Sequence, residues 1–253
     1  MSSLAIALIV FACVFGSAML GLFLRPVLPA SHLDGHTTNV VNLATGFVGT
    51  LAALVLGLLI SSAKTTFDQI EKAAVQNAAD TVLLDRVLAQ YGPETKEIRE
   101  LLKSNSSTAL ELLLSGDESK QAKLNTAGAV ARVEQVQAKT RALSPPNDAL
   151  RGLQLRALAI EDELSGTRWL LIVQSQGTVS VVLLVVLVFW LCMIFAAWAL
   201  FSPGNLTVIA ALLACALSVS GAAFLILELD RPLTGVIRIS SAPLQEAVAH
   251  LGE

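Results

Sequence analysis

Residues 44–68 read ATGFVGTLAALVLGLLISSAKTTFD, a run of small and apolar residues that ends in Lys64 and Asp68. The apolar part belongs to a longer charge-free block, Val40–Ile60, which as a helix is long enough to cross about 30 Å of hydrocarbon. No Gly or Pro lies between Ile60 and Tyr91, and Phe67, Ile70, Ala74, Ala78, Val82, Leu84 and Leu88 recur close to the helical period. The block is therefore expected to leave the membrane without a break, as one helix of about 50 residues. YGPE (91–94) stops it: Gly92 suits a helix C-terminus, and Pro93 can open the next helix.

The rest of the chain fits that reading. Of its 253 residues 54% are hydrophobic and only 15% charged, against about 25% charged in soluble domains, and the mean hydropathy is +0.68. Three further blocks, residues 3–24, 178–201 and 206–227, are also free of charge and long enough to span. The sequence predicts an all-α membrane protein with four transmembrane helices, at 3–24, 40–60, 178–201 and 206–227. The first block is read as a span and not a cleaved signal, because no basic residue precedes it and its apolar core is long. Cys13, Cys192 and Cys215 all fall inside spans, as small packing residues with neither disulfide nor metal spacing.

Charge gives the orientation. Fourteen of the 17 Lys and Arg lie between Lys64 and Arg168, while the connector after the first span carries only Arg25 and SPGN (202–205) carries none. The positive-inside rule puts 61–168 and both termini in the cytoplasm. Residues 61–168 read as a cytoplasmic helical bundle inserted between the second and third spans. Its helices are expected to 91, over about 94–114 and 118–142, and from Asp148, with breaks at SGDE (115–118) and SPPND (144–148). No break precedes Gly166, so the last of these is expected to run on into the third span, with Arg168 and Trp169 near the interface. In the C-terminal segment, 228–253, GVIRIS (235–240) reads as short and extended, and SAPLQEAVAHL (241–251) as a capped helix.

Nothing in this pattern points to an enzyme. There is no Ser/His/Asp order, phosphate-cradling Gly loop or Cys/His ligand set, and no cofactor, metal or nucleic-acid partner is expected. His32, Asp34 and His36 read as a polar connector, and Glu161, Asp162 and Glu163 as a solvated helix face. The second span is two-faced. At 100° per residue Asn42, Thr45, Gly46, Gly49, Ala52, Ala53, Gly57 and Ser61 share one face, and Phe47, Leu51, Leu54, Val55 and Leu58 the other. Gly49, Ala53, Gly57 and Ser61 form a small-xxx-small ladder that lets helix backbones approach closely in lipid. The ladder admits two uses. It can pack against the first or fourth span of the same chain, or it can pack identical copies around an axis, leaving another face to line a passage. In the second case apolar rings of Phe47, Leu51, Leu54 or Leu58 gate by dewetting, and Asn42 and Thr45 form a wetter mouth. No span carries an acid or base, which disfavours a proton-coupled pump.

Three stretches carry a resemblance: GFVGTLAALVLGLLISSAKTTFD (46–68), LLDRVLAQYGPETKEIRELL (83–102) and LDRPLTGVIRISSAPLQEAV (229–248). They resemble a bestrophin-like family of bacterial four-span membrane proteins, and through it, distantly, the bestrophin channels. Asp230, Pro232, Leu233 and Gly235 stand like the bestrophins' turn after the last span, and Ala242, Pro243 and Leu244 like the start of their following helix. The resemblance implies a homo-oligomer, a pentamer, conducting inorganic ions passively along a pore lined by the second helix. It does not carry calcium gating, since Glu228, Asp230, Glu246 and Glu253 are the only acids after the fourth span. Arg231 and Arg238 are candidates for contact with anions or lipid head groups at the cytoplasmic mouth. Two other readings stand beside the channel: a non-conducting scaffold or signalling protein that binds a partner through its cytoplasmic helices, and a stator-like oligomer.

Overall fold

The computed structural model describes residues 2–29, 34–115, 127–174, 180–230, 232 and 235–252, with side chains at all of these except 113, 127 and 170–174. Among the described residues it is all-helical. The helices are α1 (Ser3–Leu24), α2 (Gly35–Tyr91), α3 (Lys96–Leu114), α4 (Ala127–Arg141), α5 (Asp148–Gln174), α6 (Val181–Phe201), α7 (Leu206–Leu229) and α8 (Ala242–His250). Four of them, α1, α2, α6 and α7, are long and apolar enough to cross a membrane. The chain divides into two compact units: residues 1–66 with 178–230, and residues 67–177 with 231–253.

In the first unit α1 packs against α6 and α7. Small residues set the approach. Val14, Ala18, Ala199 and Ala216 are fully buried, and Val10, Phe195, Leu212 and Ala223 close the core around them. Gly21 marks the tightest crossing, because a Cβ there would overlap the Ala196 carbonyl oxygen. Backbones can approach this closely only where side chains are small, and in lipid such packing replaces the hydrophobic drive that water supplies. Two polar contacts add to it. Ser220 Oγ donates to the Ala7 carbonyl at 3.0 Å, and the Arg25 guanidinium donates to the Ser202 carbonyl at 2.7 Å. One face of α2 joins the unit through Ala52, Leu59 and Ala63, which pack with Leu187 of α6 and Ile226 of α7.

The 57 residues of α2 amount to about 85 Å of helix, far more than the hydrocarbon needs. Asp34 caps the start, its carboxylate accepting from the Thr37 N–H at 2.8 Å; His32 lies outside the described residues. Gly92 ends it with φ 130°, a backbone region that favours glycine, and Pro93 opens the turn into α3, as the sequence predicts.

The second unit is a helical bundle whose core joins α2 (Leu84, Val87, Leu88), α3 (Ile98, Leu102), α4 (Val136), α5 (Ala157, Ile160) and Leu251 beyond α8. Three expectations change here. Ser180 is extended, so α6 starts afresh at Val181 and α5 does not run on into it. GVIRIS bends at 235–237 instead of staying extended throughout, and the Ile239 N–H donates to the Pro232 carbonyl at 3.1 Å. Glu161 is not solvated: it is 4% exposed, while Asp162 and Glu163 beside it face water. The helical period allows this difference, since adjacent residues point 100° apart.

Candidate functional site

The buried side of α2 within the first unit carries Thr45, Ala52, Leu59, Ala63 and Thr66. Its remaining surface forms an open arc made of two neighbouring stripes. One is bulky: Phe47, Leu54 and Leu58 are 68%, 67% and 64% exposed, and Leu51 sits half-buried at its edge. The other is small: Gly46, Ala53, Gly57 and Ser61 are exposed, with no atom within 4 Å of a Cβ built on Gly46 or Gly57. The arc is apolar over a length that water would not tolerate on a stable surface. Only 11% of the apolar window of α2 is buried in the chain, against 22–28% for α1, α6 and α7.

The predicted residues are therefore partly regrouped. Asn42 is exposed, but Thr45 is buried, its hydroxyl donating to the Val41 carbonyl at 2.8 Å. Gly49, at the head of the small ladder, is half-covered by Ile194 of α6, whereas Ala53, Gly57 and Ser61 below it have open sides. Thr50 lies on the open arc, yet its hydroxyl turns back to the Gly46 carbonyl at 3.0 Å. The arc thus offers almost no side-chain hydrogen-bonding groups below Asn42 until Ser61 and Ser62. Arg238, in the second unit, is exposed and donates through Nε to the Gly235 carbonyl at 2.7 Å; Arg231 lies outside the described residues.

Sequence reading missed a polar clamp in the second unit. Arg99 of α3 makes a two-pronged bond to Asp85 of α2, both arms at 2.8 Å, and the Gly252 N–H donates to the same carboxylate at 3.2 Å. Lys103 donates to the Leu251 carbonyl at 2.7 Å, while the Leu251 side chain is 1% exposed in the core. Burial raises the Asp85 carboxyl, but the bonds from Arg99 and Gly252 and the charge of Arg99 outweigh it and hold the group below the usual carboxylate range. The i, i+14 spacing across a Gly-Pro turn was visible in the sequence. The return of residues 251–252 to meet it was not.

No curated protein matches the chain. Its fold is similar to the crystal structure of a bacterial Bestrophin homolog from Klebsiella pneumoniae carrying a mutation, with a TM-score of 0.66. The two are 14% identical over 96% of this chain and 97% of that one, so the likeness is one of fold. The Bestrophin-like domain matches residues 12–244. With four long apolar helices and a family match over nearly its whole length, this is a membrane protein, and the chain belongs to the Bestrophin-like family.

Proposed function

We propose that the chain is one subunit of a homo-oligomeric ion channel, a pentamer in a bacterial inner membrane, and that ions pass without energy coupling along α2. The observation that carries this reading is the open arc of α2, the least covered of the four apolar helices. A helix buried by its own chain would have no such arc, and a helix facing only lipid would not need two sorted stripes. In this reading the small stripe of Ala53, Gly57 and Ser61 meets neighbouring copies, with Gly49 shared with Ile194 of its own chain. The bulky stripe of Phe47, Leu51, Leu54 and Leu58 faces the axis. Apolar rings of this kind gate by dewetting, and Asn42 supplies the wetter mouth, with Thr45 behind it. The four apolar helices span the membrane, residues 61–168 and both termini lie in the cytoplasm, and Arg231 and Arg238 meet anions or lipid head groups there.

The test is to size the purified protein and then reconstitute it in planar bilayers. A pentamer that passes current in chloride or potassium salts is expected. Replacing Leu51, Leu54 and Leu58 together with Ala should raise single-channel conductance, because the dewetted constriction widens. A monomer, or an oligomer silent in both salts, overturns the channel reading and leaves the scaffold. Unchanged conductance in the triple variant moves the constriction away from this stripe.

A further inference from the structure

In the second unit a buried carboxylate bridges two helices. Glu161 of α5 is 4% exposed and Thr140 of α4 is fully buried, and their oxygens lie 2.6 Å apart (Thr140 Oγ1 to Glu161 Oε1). The same Thr140 hydroxyl lies 3.1 Å from the Val136 carbonyl. A threonine hydroxyl has one hydrogen to donate. If Glu161 is charged, that hydrogen must serve either Oε1 or Val136, and Oε2 has no donor among the described residues. If Glu161 is neutral, its own O–H donates to Thr140 and Thr140 donates to Val136, so both bonds form at once. A buried, under-bonded charge costs far more than a buried, under-bonded carbonyl.

We propose that Glu161 is a proton-operated latch between α4 and α5, closed when its carboxyl is neutral and loosened when it ionises. The groups around it agree. Burial drives the carboxyl up from 4.5 to about 7; the Thr140 bond and Arg141 of α4 pull it down, and Asp162 of its own helix pushes it up. Other polar contacts join these helices to their neighbours. Asp85 of α2 holds Arg99 of α3, Lys139 of α4 holds Glu97 of α3 at 2.8 Å, and Gln137 of α4 donates to Asp162 at 2.7 Å. Gln154 of α5 donates to the Thr140 and Leu143 carbonyls, both at 2.9 Å, a neutral tie that stays in place at any pH. Burial in the α4–α5 seam thus puts the change of state of Glu161 near neutrality.

The sign follows from linkage. The folded carboxyl binds its proton more tightly than the unfolded one, so its contribution is complete below 4.5 and is lost as the pH rises to about 7. Hydrogen–deuterium exchange on the full chain in detergent reads this directly. After correction for intrinsic exchange, protection of the α4 amides should fall by up to about tenfold per pH unit between about pH 5 and pH 7 and then level off. Glu161→Gln should remove the slope. Thr140→Val, which removes the hydroxyl that neutral Glu161 donates to, should lower the protection of α4 at pH 5 and flatten the slope, and it decides the matter if Glu161→Gln does not fold. Equal slopes in wild type and Glu161→Gln, or an unchanged slope in Thr140→Val, overturn the latch. Neither readout involves conduction, so the result is independent of the channel reading.

Discussion

The two halves of α2 differ in how much of their packing is written in their residues. In the second unit the helix is amphipathic, and the residues that look buried by period, Leu84 and Leu88, are 1% exposed in the core. In the first unit the helix is apolar all round, and Leu59 is buried while Leu58, its chemical twin one residue earlier, is 64% exposed. Water distinguishes an inner face from an outer one by removing apolar groups from contact with it. Lipid makes no such distinction, so in a span only size and shape sort the faces. The comparison teaches that in the apolar half the informative letters are the small ones.

Three experiments test that contrast, in order of falling effect. Asp85→Ala should be the most damaging, since it removes the carboxylate that both arms of Arg99 and the Gly252 N–H share. Breaking a buried ion pair from one side costs about 3–5 kcal/mol, and because the Arg99 side chain is still 20% exposed the lower end, about 3, is expected. The second unit should lose its cooperative melt and expose residues 242–252 to protease, with the helices of the first unit unaffected. Acid should weaken the same clamp. Asp85 titrates lower when folded, so its contribution is present above the ordinary carboxylate range and disappears as the pH falls through the depressed value. This is opposite in sign to Glu161.

Gly21→Val tests the size rule in the first unit. Its side chain has to displace the Ala196 carbonyl and the Ala199 methyl, and overpacking of this kind costs about 1–3 kcal/mol. A lower melting temperature of the detergent-solubilised protein is the readout, and an unchanged one would mean that α1 and α6 separate easily. Ala53→Leu should have the smallest effect on the chain itself, within about 0.5 kcal/mol, because the site is open in the single chain. If the small stripe is an inter-subunit seam, the same substitution should convert the oligomer to smaller species on size-exclusion chromatography with light scattering, at unchanged helix content. An intact oligomer would remove Ala53 from the interface.

Much of the fold was legible in advance. The long α2, its stop at Gly92 and Pro93, and the helix restarting at Asp148 all follow from local rules about period, capping and turn residues. The failures are instructive. Glu161, Asp162 and Glu163 form one acidic triplet, and only the neighbouring helix decides which of them is covered. Ser180 breaks what looks like a continuous helix; its ψ of 110° starts α6 at Val181. Thr45 and Ala52 share a face with Gly49 and Ala53 on a helical wheel, but α6 and α7 cover only part of that face.

The sequence by itself determined the class of the protein: an all-helical membrane protein with four long apolar helices, one of them far longer than a membrane crossing needs. Those follow from composition and period, because the cost of burying charge and the geometry of the helix act locally. The tertiary structure alone decided which side of α2 stays open, which acid is buried against Thr140, and how Leu251 and Gly252 return to Asp85 and Lys103. These depend on contacts between residues as far as 167 positions apart, and no local pattern encodes which surfaces will meet.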